Sequence, residues 1–534
     1  AMSPDQILVP QPTQADFPEF LSIPVRVAQH AASFPDKRAV VCEATTRNWG
    51  DFDRRVNRIA RGLAGMGVGC GDKIAILAAN SVEYLETFVA GLRAGACVVP
   101  LSTMAAADAL EKMLDDCDAK VLFLSDRYRG LVEPYEDRLH KLVAGGRIAY
   151  DFARPGWSGF EEWLSPASDE AFAVPIGMLD DFNIIYSSGT TGLPKGILHS
   201  HGMRDLLAVR FTALDYGPDT VSLASTPLYS NTTLVSVLAT IGVGGTTILM
   251  TKSDAGKFLE IAQRERVTHA MLVPVQYQRI LAHPDFDKYD LGAFKAKLST
   301  SAPLRAHVKA DCLARWPGRL IEIYGLTEGG ASCMLEANLN PDKLHTVGKP
   351  GLGSEIVVLD EHGKVLPQGE VGELAGRAPV MMKGYYRQED KTRELFWYDP
   401  DGRLFFKSGD MGKIDEDGFV ILLDRKKDMI ISGGFNVYAA DIEVMLLGHP
   451  DVIDVAVIGV PSDQWGESPM ALAVRARGSK ATVDEIRTWA NGQLSKTQRL
   501  VALEFRDSLP RSTIGKIMKR DLRAPYWEGR ESKI

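Results

Sequence analysis

The stretch Tyr186-Ser187-Ser188-Gly189-Thr190-Thr191-Gly192-Leu193-Pro194-Lys195-Gly196 decides how this chain is read. Its eleven positions hold three glycines, four serines and threonines, and one lysine. The apolar residues 182–185 before it read as a strand. Glycines open backbone angles that let successive N–H groups face an anion, and the hydroxyls and the Lys195 ammonium add donors and charge. From composition the loop is either a phosphate cradle or a flexible surface turn. It is not a Walker loop, because Lys195 stands between Pro194 and Gly196 and no Gly-Lys-Ser/Thr triplet is present.

Around this loop the first half of the chain alternates helical and extended patterns. Residues 52–66, 84–94 and 106–117 have helical spacing; residues 74–78, 96–100, 121–124, 184–187, 246–250 and 270–273 read as strands. Strands separated by helices of this length form βαβ units in largely parallel sheets, which hold ligands beyond the carboxyl ends of their strands. Residues 232–251 carry no charge, but Gly242, Gly244 and Gly245 interrupt them. They are predicted to be a buried helix, a turn and a strand rather than a membrane span.

Beyond about residue 345, glycines recur every few positions between short extended runs, which predicts a β-rich subdomain over about 345–424. Asp424-Arg425-Lys426-Lys427-Asp428 follows, five consecutive charges that read as a solvated turn and a linker. The last hundred or so residues form a second α/β pattern, with helices over 441–447 and 483–494 and strands over 455–460, 471–474 and 500–505. That length suffices for a small domain.

The chain has 534 residues, 45% hydrophobic and 24% charged, with a net charge of -8. These are the proportions of a globular protein, and the acidic balance argues against a general nucleic-acid binder. Cys42, Cys70, Cys97, Cys117, Cys312 and Cys333 are scattered without CxxC spacing. A disulfide scaffold or zinc site is not expected, and a reducing cytoplasm fits best. No basic segment leads into an apolar core at the start, so no secretion signal is expected.

Other candidate sites have bland readings on their own. Thr327-Glu328 could cap a helix, and Asp410 could cap its own turn. Gly433-Gly434 could be a turn and nothing more, and Lys516, near Lys519 and Arg520, could be a basic surface tail. Their order along the chain changes this. The loop at 186–196 resembles the signature loop of the adenylate-forming superfamily, which comprises acyl-CoA and aryl-CoA synthetases, peptide-synthetase adenylation domains and beetle luciferases. Further segments resembling that family's signatures follow in the expected order: Tyr324-Gly325-Leu326-Thr327-Glu328, Lys407-Ser408-Gly409-Asp410, Asp424-Arg425-Lys426-Lys427, Ile431-Ser432-Gly433-Gly434-Phe435-Asn436-Val437-Tyr438 and Pro510-Arg511-Ser512-Thr513-Ile514-Gly515-Lys516-Ile517. The resemblance covers nearly the whole chain and is nearest to medium/long-chain fatty acyl-CoA and aryl-CoA ligases.

The resemblance implies an α/β fold: a large AMP-binding domain over 1–426, built of packed, mostly parallel sheets and the β-rich subdomain, and a small mobile α+β domain over 427–534, hinged near Lys427. It implies ATP, Mg²⁺ and coenzyme A. Ser187, Ser188, Gly189, Thr190, Thr191, Gly192 and Lys195 would meet phosphates. Tyr324 would join the nucleotide contacts, Thr327 would meet the α-phosphate, and Glu328 would bind the metal. Asp410 would accept the ribose hydroxyls, with Arg425 as a second contact to the nucleotide. Lys516 would enter the site for adenylation, and Gly433 and Gly434 would line the pantetheine tunnel for the second step. Phe435 stands where many members have Glu, as a known family variant. Lys426 is expected only to be solvated, and His199 and His201 to be structural or ring-stacking.

The acyl pocket is assigned to Tyr229, Ser230, Thr300, Ser301, Gly325 and Leu326, with Val235 nearby. Ser230 stands where many members have His, Thr300 where glycine is usual, and Glu322 where Gln is common. Few charges occur there, so the expected acid is apolar: medium-chain fatty, alicyclic or aromatic. The reading is an AMP-forming acid–CoA ligase. Its rivals are an enzyme loading a carrier protein and a non-catalytic nucleotide-binding homologue. The resemblance also leaves open a homodimer and a protein lysine acetyltransferase acting on Lys516.

Overall fold

The computed structural model describes residues 7–187, 194–512 and 515–530. Two sheets dominate. The eight-stranded sheet runs, in spatial order, through Gly384–Tyr385, Gly196–Ser200, Asp181–Tyr186, Cys97–Pro100, Lys73–Leu77, Ala119–Leu124, Arg147–Ala149 and Ser158–Gly159. Pairing is parallel from Asp181–Tyr186 onward, and only the two strands beyond it at the other edge are antiparallel. The nine-stranded sheet has a parallel centre, Arg319–Gly325, Ala296–Ser299, His269–Leu272, Val221–Ala224, Thr246–Leu249 and Arg38–Cys42, flanked by antiparallel strands.

One core holds these sheets together. The helix Trp49–Gly65 starts where the Asn48 side chain accepts the Asp51 N–H, and it buries Phe52, Val56, Ile59, Ala60 and Leu63 at helical spacing. The same core takes Val40 and Leu249 from the nine-stranded sheet and Ile74 and Val98 from the eight-stranded sheet. The uncharged tract forms the buried helix Asn231–Val243, stops at Gly244 with φ +78°, and returns as the strand Thr246–Leu249. Among the described residues no helix is long and apolar enough to cross a membrane.

Residues Glu355–Leu359, Gly372–Arg377, Leu404–Ile414, Phe396–Tyr398 and Val420–Arg425 form an antiparallel sheet, as the glycine-punctuated pattern predicts. A separate sheet joins Phe435–Val437, Ile430–Ser432, Gly466–Arg475, Val452–Ser462 and Ala502–Phe505, with the helices Ala439–Leu447 and Val483–Asn491 packed on it. The latter helix is shorter than its apolar spacing predicts. Gly492 caps it, and the Ser495 N–H turns onto the Gln498 side chain.

The charge run at 424–428 corrects its reading as a plain solvated turn. Asp424 and Arg425 complete a strand, and only Lys426–Asp428 form a 3₁₀ turn. Asp424 is half-buried and accepts the Ala439 N–H at 3.0 Å, while Asp428 pairs with Arg523 at 2.8 Å. Burial raises the Asp424 carboxyl to about 6, against the opposing charge of Lys519. Lys426 is exposed, as expected, and donates to Glu373 at 3.2 Å.

Candidate active site

The candidate residues gather where the carboxyl end of Arg319–Gly325 meets the long strand Leu404–Ile414. Asp410 lies directly across from Arg425 in antiparallel register, which brings their side chains together. Arg425 Nη1 donates to Asp410 Oδ1 at 2.8 Å, and the buried Tyr324 hydroxyl donates to Oδ2 at 2.6 Å. A carboxylate has about four acceptor positions, so Asp410 keeps capacity for further donors. Burial and the Asp410 charge hold the Tyr324 phenol protonated, with its pKa well above the usual range.

The strand ends at Gly325, and Leu326, Thr327 and Glu328 follow in the adjoining turn. A Cβ at Gly325 would meet open space, so a flat group can approach the backbone there. Tyr385 donates to Glu328 Oε2 at 2.8 Å, and the Lys195 ammonium lies 4.9 Å from the centre of the Tyr385 ring. Pairing of Gly384–Tyr385 with Gly196–Ser200 carries Tyr385 into this position. No motif in the sequence marks Tyr385; strand pairing alone reveals it. The Met382 N–H holds the Glu328 carbonyl at 2.8 Å.

Ser187 and Lys195 close the base of the signature loop through Ser187 N–H to Lys195 carbonyl at 3.0 Å. The Ser187 hydroxyl is buried without a partner among the described residues. Ser188, Gly189, Thr190, Thr191, Gly192 and Leu193 lie outside the described residues, as do Thr513 and Ile514.

Lys516 reaches this cluster from the far end of the chain. Its loop is closed by Ser512 N–H to the Lys516 carbonyl at 2.8 Å and by Gly515 N–H to the Ser512 carbonyl at 2.9 Å. The side chain keeps an exposed surface yet is walled by protein. Loss of surrounding water lowers its pKa below the usual lysine value; Arg425 and Lys427 act in the same direction, and Asp410 and Glu328 oppose it. Lys427 is exposed on the 3₁₀ turn between the two parts of the chain.

Gly433 and Gly434 occupy the exposed turn between Ile430–Ser432 and Phe435–Val437. Both have positive φ, +57° and +80°. A Cβ on Gly433 would stand 2.8 Å from the Trp465 ring, whereas one on Gly434 would meet nothing within 4 Å.

The pocket candidates line the junction of the Asn231–Val243 helix with the end of Ala296–Ser299. Thr232 and Ser301 hydroxyls share a hydrogen bond at 2.6 Å, and Thr300 N–H meets the Leu272 carbonyl at 3.2 Å. Ser230 caps the helix start by position, without a side-chain bond. Tyr229 is buried and its hydroxyl has no partner among the described residues. Val235 and Ile323 pack against Leu298 and Ile321. Glu322 is buried beside this wall, ion-paired with Lys309, and accepts the Leu304 N–H at 2.6 Å. Its charge is therefore compensated within the protein.

Glu328 offers a single carboxylate, of which only Oε2 is engaged by Tyr385. That suits Mg²⁺, which takes one or two carboxylates when a nucleotide supplies phosphate oxygens. Among the described residues no group of three His, Cys, Asp or Glu forms a protein-only cage.

The chain resembles known proteins over nearly its whole length. Residues 27–386 match the AMP-binding enzyme family, and residues 441–516 match the AMP-binding enzyme C-terminal domain. A feruloyl-CoA synthase of Amycolatopsis sp. is 35% identical over 511 residues, covering 95% of this chain and 98% of that protein. A fatty acid–[acyl-carrier-protein] ligase of Streptomyces coeruleorubidus is 30% identical, covering 97% and 99%. The crystal structure of ATP-bound MatB from Rhodopseudomonas palustris superposes with a TM-score of 0.84 at 30% identity, covering 95% and 99%.

Proposed function

The chain belongs to the AMP-binding enzyme family, and from that premise we propose that it is an ATP-dependent, AMP-forming acyl-CoA synthetase for an apolar carboxylic acid. The observation that supports this is the Asp410 carboxylate held by both Tyr324 and Arg425, with the charges of Asp410 and Glu328 acting on Lys516. In the first step a substrate carboxylate oxygen attacks the α-phosphorus of ATP. The bond to the bridging oxygen breaks, and pyrophosphate leaves with its electron pair. In the second step the CoA sulfur attacks the acyl carbon and gives up its proton, and AMP leaves.

Asp410 accepts the ribose hydroxyls while Tyr324 and Arg425 hold its orientation. Thr327 donates to the α-phosphate. Glu328 is the residue that would hold Mg²⁺, which supplies neutralising charge to the phosphates. Lys516 stabilises charge developing on the α-phosphate and the attacking carboxylate. The residues around Lys427 absorb the rotation that exchanges Lys516 for the Gly433–Gly434 turn between steps.

The acid is medium-chain fatty, alicyclic or aromatic. Tyr229, Val235 and Leu326 support an apolar pocket, and the names of the relatives include both feruloyl and fatty acid substrates. Thioester formation across a panel of carboxylic acids tests this; activity confined to small polar or dicarboxylic acids overturns it. A second reading, delivery to a carrier protein, is favoured by the name of one relative. Rates with free CoA and with a pantetheinylated carrier protein separate the two.

A further inference from the structure

Behind the Thr327 turn lies a file of fully buried polar side chains that the proposed reaction does not use. Arg204 Nε donates to Asn183 Oδ1 at 2.9 Å, Asn183 Nδ2 meets His199 Nδ1 at 3.0 Å, and His199 Nε2 meets the Thr327 carbonyl oxygen at 2.7 Å. The chemistry of the first member sets the direction of the whole file. A guanidinium has no acceptor, so the atom of Asn183 facing Arg204 must be its oxygen. The amide nitrogen then faces the imidazole and can only donate, so His199 Nδ1 is bare. The ring proton therefore sits on Nε2 and is given to the Thr327 carbonyl.

Arg204 is an expensive residue to bury. Its neighbour Asp205 is committed to Arg26, at 2.8 and 2.9 Å; the two terminal nitrogens of Arg204 have no hydrogen-bond partner among the described residues, and its guanidinium lies 5.8 Å from the centre of the Phe182 ring. A buried cation without a counter-charge destabilises a fold unless its placement serves something else. Here the charge orients Asn183, and through it the imidazole tautomer.

We propose that Arg204, Asn183 and His199 are positioning residues that pin the Thr327 carbonyl toward the Gly196–Ser200 strand and so aim the Thr327–Glu328 turn at the nucleotide phosphates. The described peptides are all trans, so drawing the Thr327 carbonyl one way sends the Glu328 N–H the other way. The far side of the turn is held by Met382 N–H on the Glu328 carbonyl and by Tyr385 on its carboxylate, both at 2.8 Å. With the His199 bond the turn is fixed from both sides. This inference rests on the adenylation reading, since it concerns the step that handles phosphates.

The test is carboxylate-dependent ATP–pyrophosphate exchange in the full-length enzyme, set beside thioester formation from supplied acyl-adenylate and CoA. His199→Leu removes the donor and is expected to slow exchange by about tenfold or more, with the second step within about twofold of wild type. His199→Gln, whose amide N–H can reach the same carbonyl, is expected to restore most of the exchange. The proposal is overturned if His199→Leu exchanges like wild type, if both steps fall together, or if Gln rescues nothing. Should His199→Leu fail to fold, ¹⁵N-histidine NMR of the wild-type enzyme decides: a His199 ring protonated on Nε2 supports the relay, and one protonated on Nδ1 overturns it. Absence of carboxylate-dependent exchange in the wild type would instead remove the adenylation reading itself.

Discussion

Gly515 lies against Val275 so closely that a Cβ added to it would stand 2.6 Å from the valine Cγ1. Its φ of +77° is also one that side chains resist. This contact seats the loop carrying Lys516 on the large part of the molecule. Gly515→Ala therefore strains the loop and lifts it off. Adenylate formation should fall by about tenfold or more, while consumption of supplied acyl-adenylate by CoA is much less affected. Equal losses in both half-reactions would dissociate the contact from the first step.

Lys516→Ala removes an ammonium on which the charges of Asp410 and Glu328 act. Loss of a charge aimed at the reacting centre costs on the order of 10²–10³ in rate. The loss should appear in pyrophosphate exchange and be far smaller for thioester formation from supplied adenylate. Single-turnover assays of each half-reaction measure it.

The lowered pKa of Lys516 gives the first step a pH signature. Only the protonated amine stabilises the phosphate charge. Because burial and Arg425 shift the pKa downward, the proton leaves below the ordinary lysine value of 10.5. Adenylation measured as kcat/KM for ATP should thus decline on the alkaline side below that value. In Lys516→Arg this limb should vanish even if the rate drops. Persistence of the same limb would assign it to another group.

Asp410→Ala leaves the Tyr324 hydroxyl and the Arg425 guanidinium without their shared acceptor. An orphaned buried partner costs about 1–3 kcal/mol of stability. The variant should melt lower and show a KM for ATP raised by about tenfold or more. An unchanged KM would separate Asp410 from the nucleotide.

Gly434→Leu tests the opposite step. In this conformation the position faces open space, so the variant carries only the roughly 1–2 kcal/mol strain of a side chain at positive φ. Adenylation should be near wild type, and CoA-dependent turnover of the adenylate should fall. Normal use of CoA would remove Gly434 from the thiol path.

Much of the architecture is legible along the chain because it follows from local periodicity. The Trp49–Gly65 helix, the Gly244 stop and the short strands of the large sheets all come from side-chain spacing and glycine conformations within a few residues. The reading of 424–428 falls short for a physical reason. A charge run looks solvated unless its partners are known, and those of Asp424 and Asp428, Ala439 and Arg523, come from later in the chain.

Sequence alone determined the fold class and the order of the candidate motifs, because glycine-rich turns and alternating strands and helices are properties of neighbouring residues. Tertiary structure alone decided which side chains bond one another. Tyr324 meets Asp410 across 86 positions of chain, Tyr385 meets Glu328 across 57, and His199 reaches Thr327 across 128. Strand order and register set those meetings, and neither is written in any local stretch of residues.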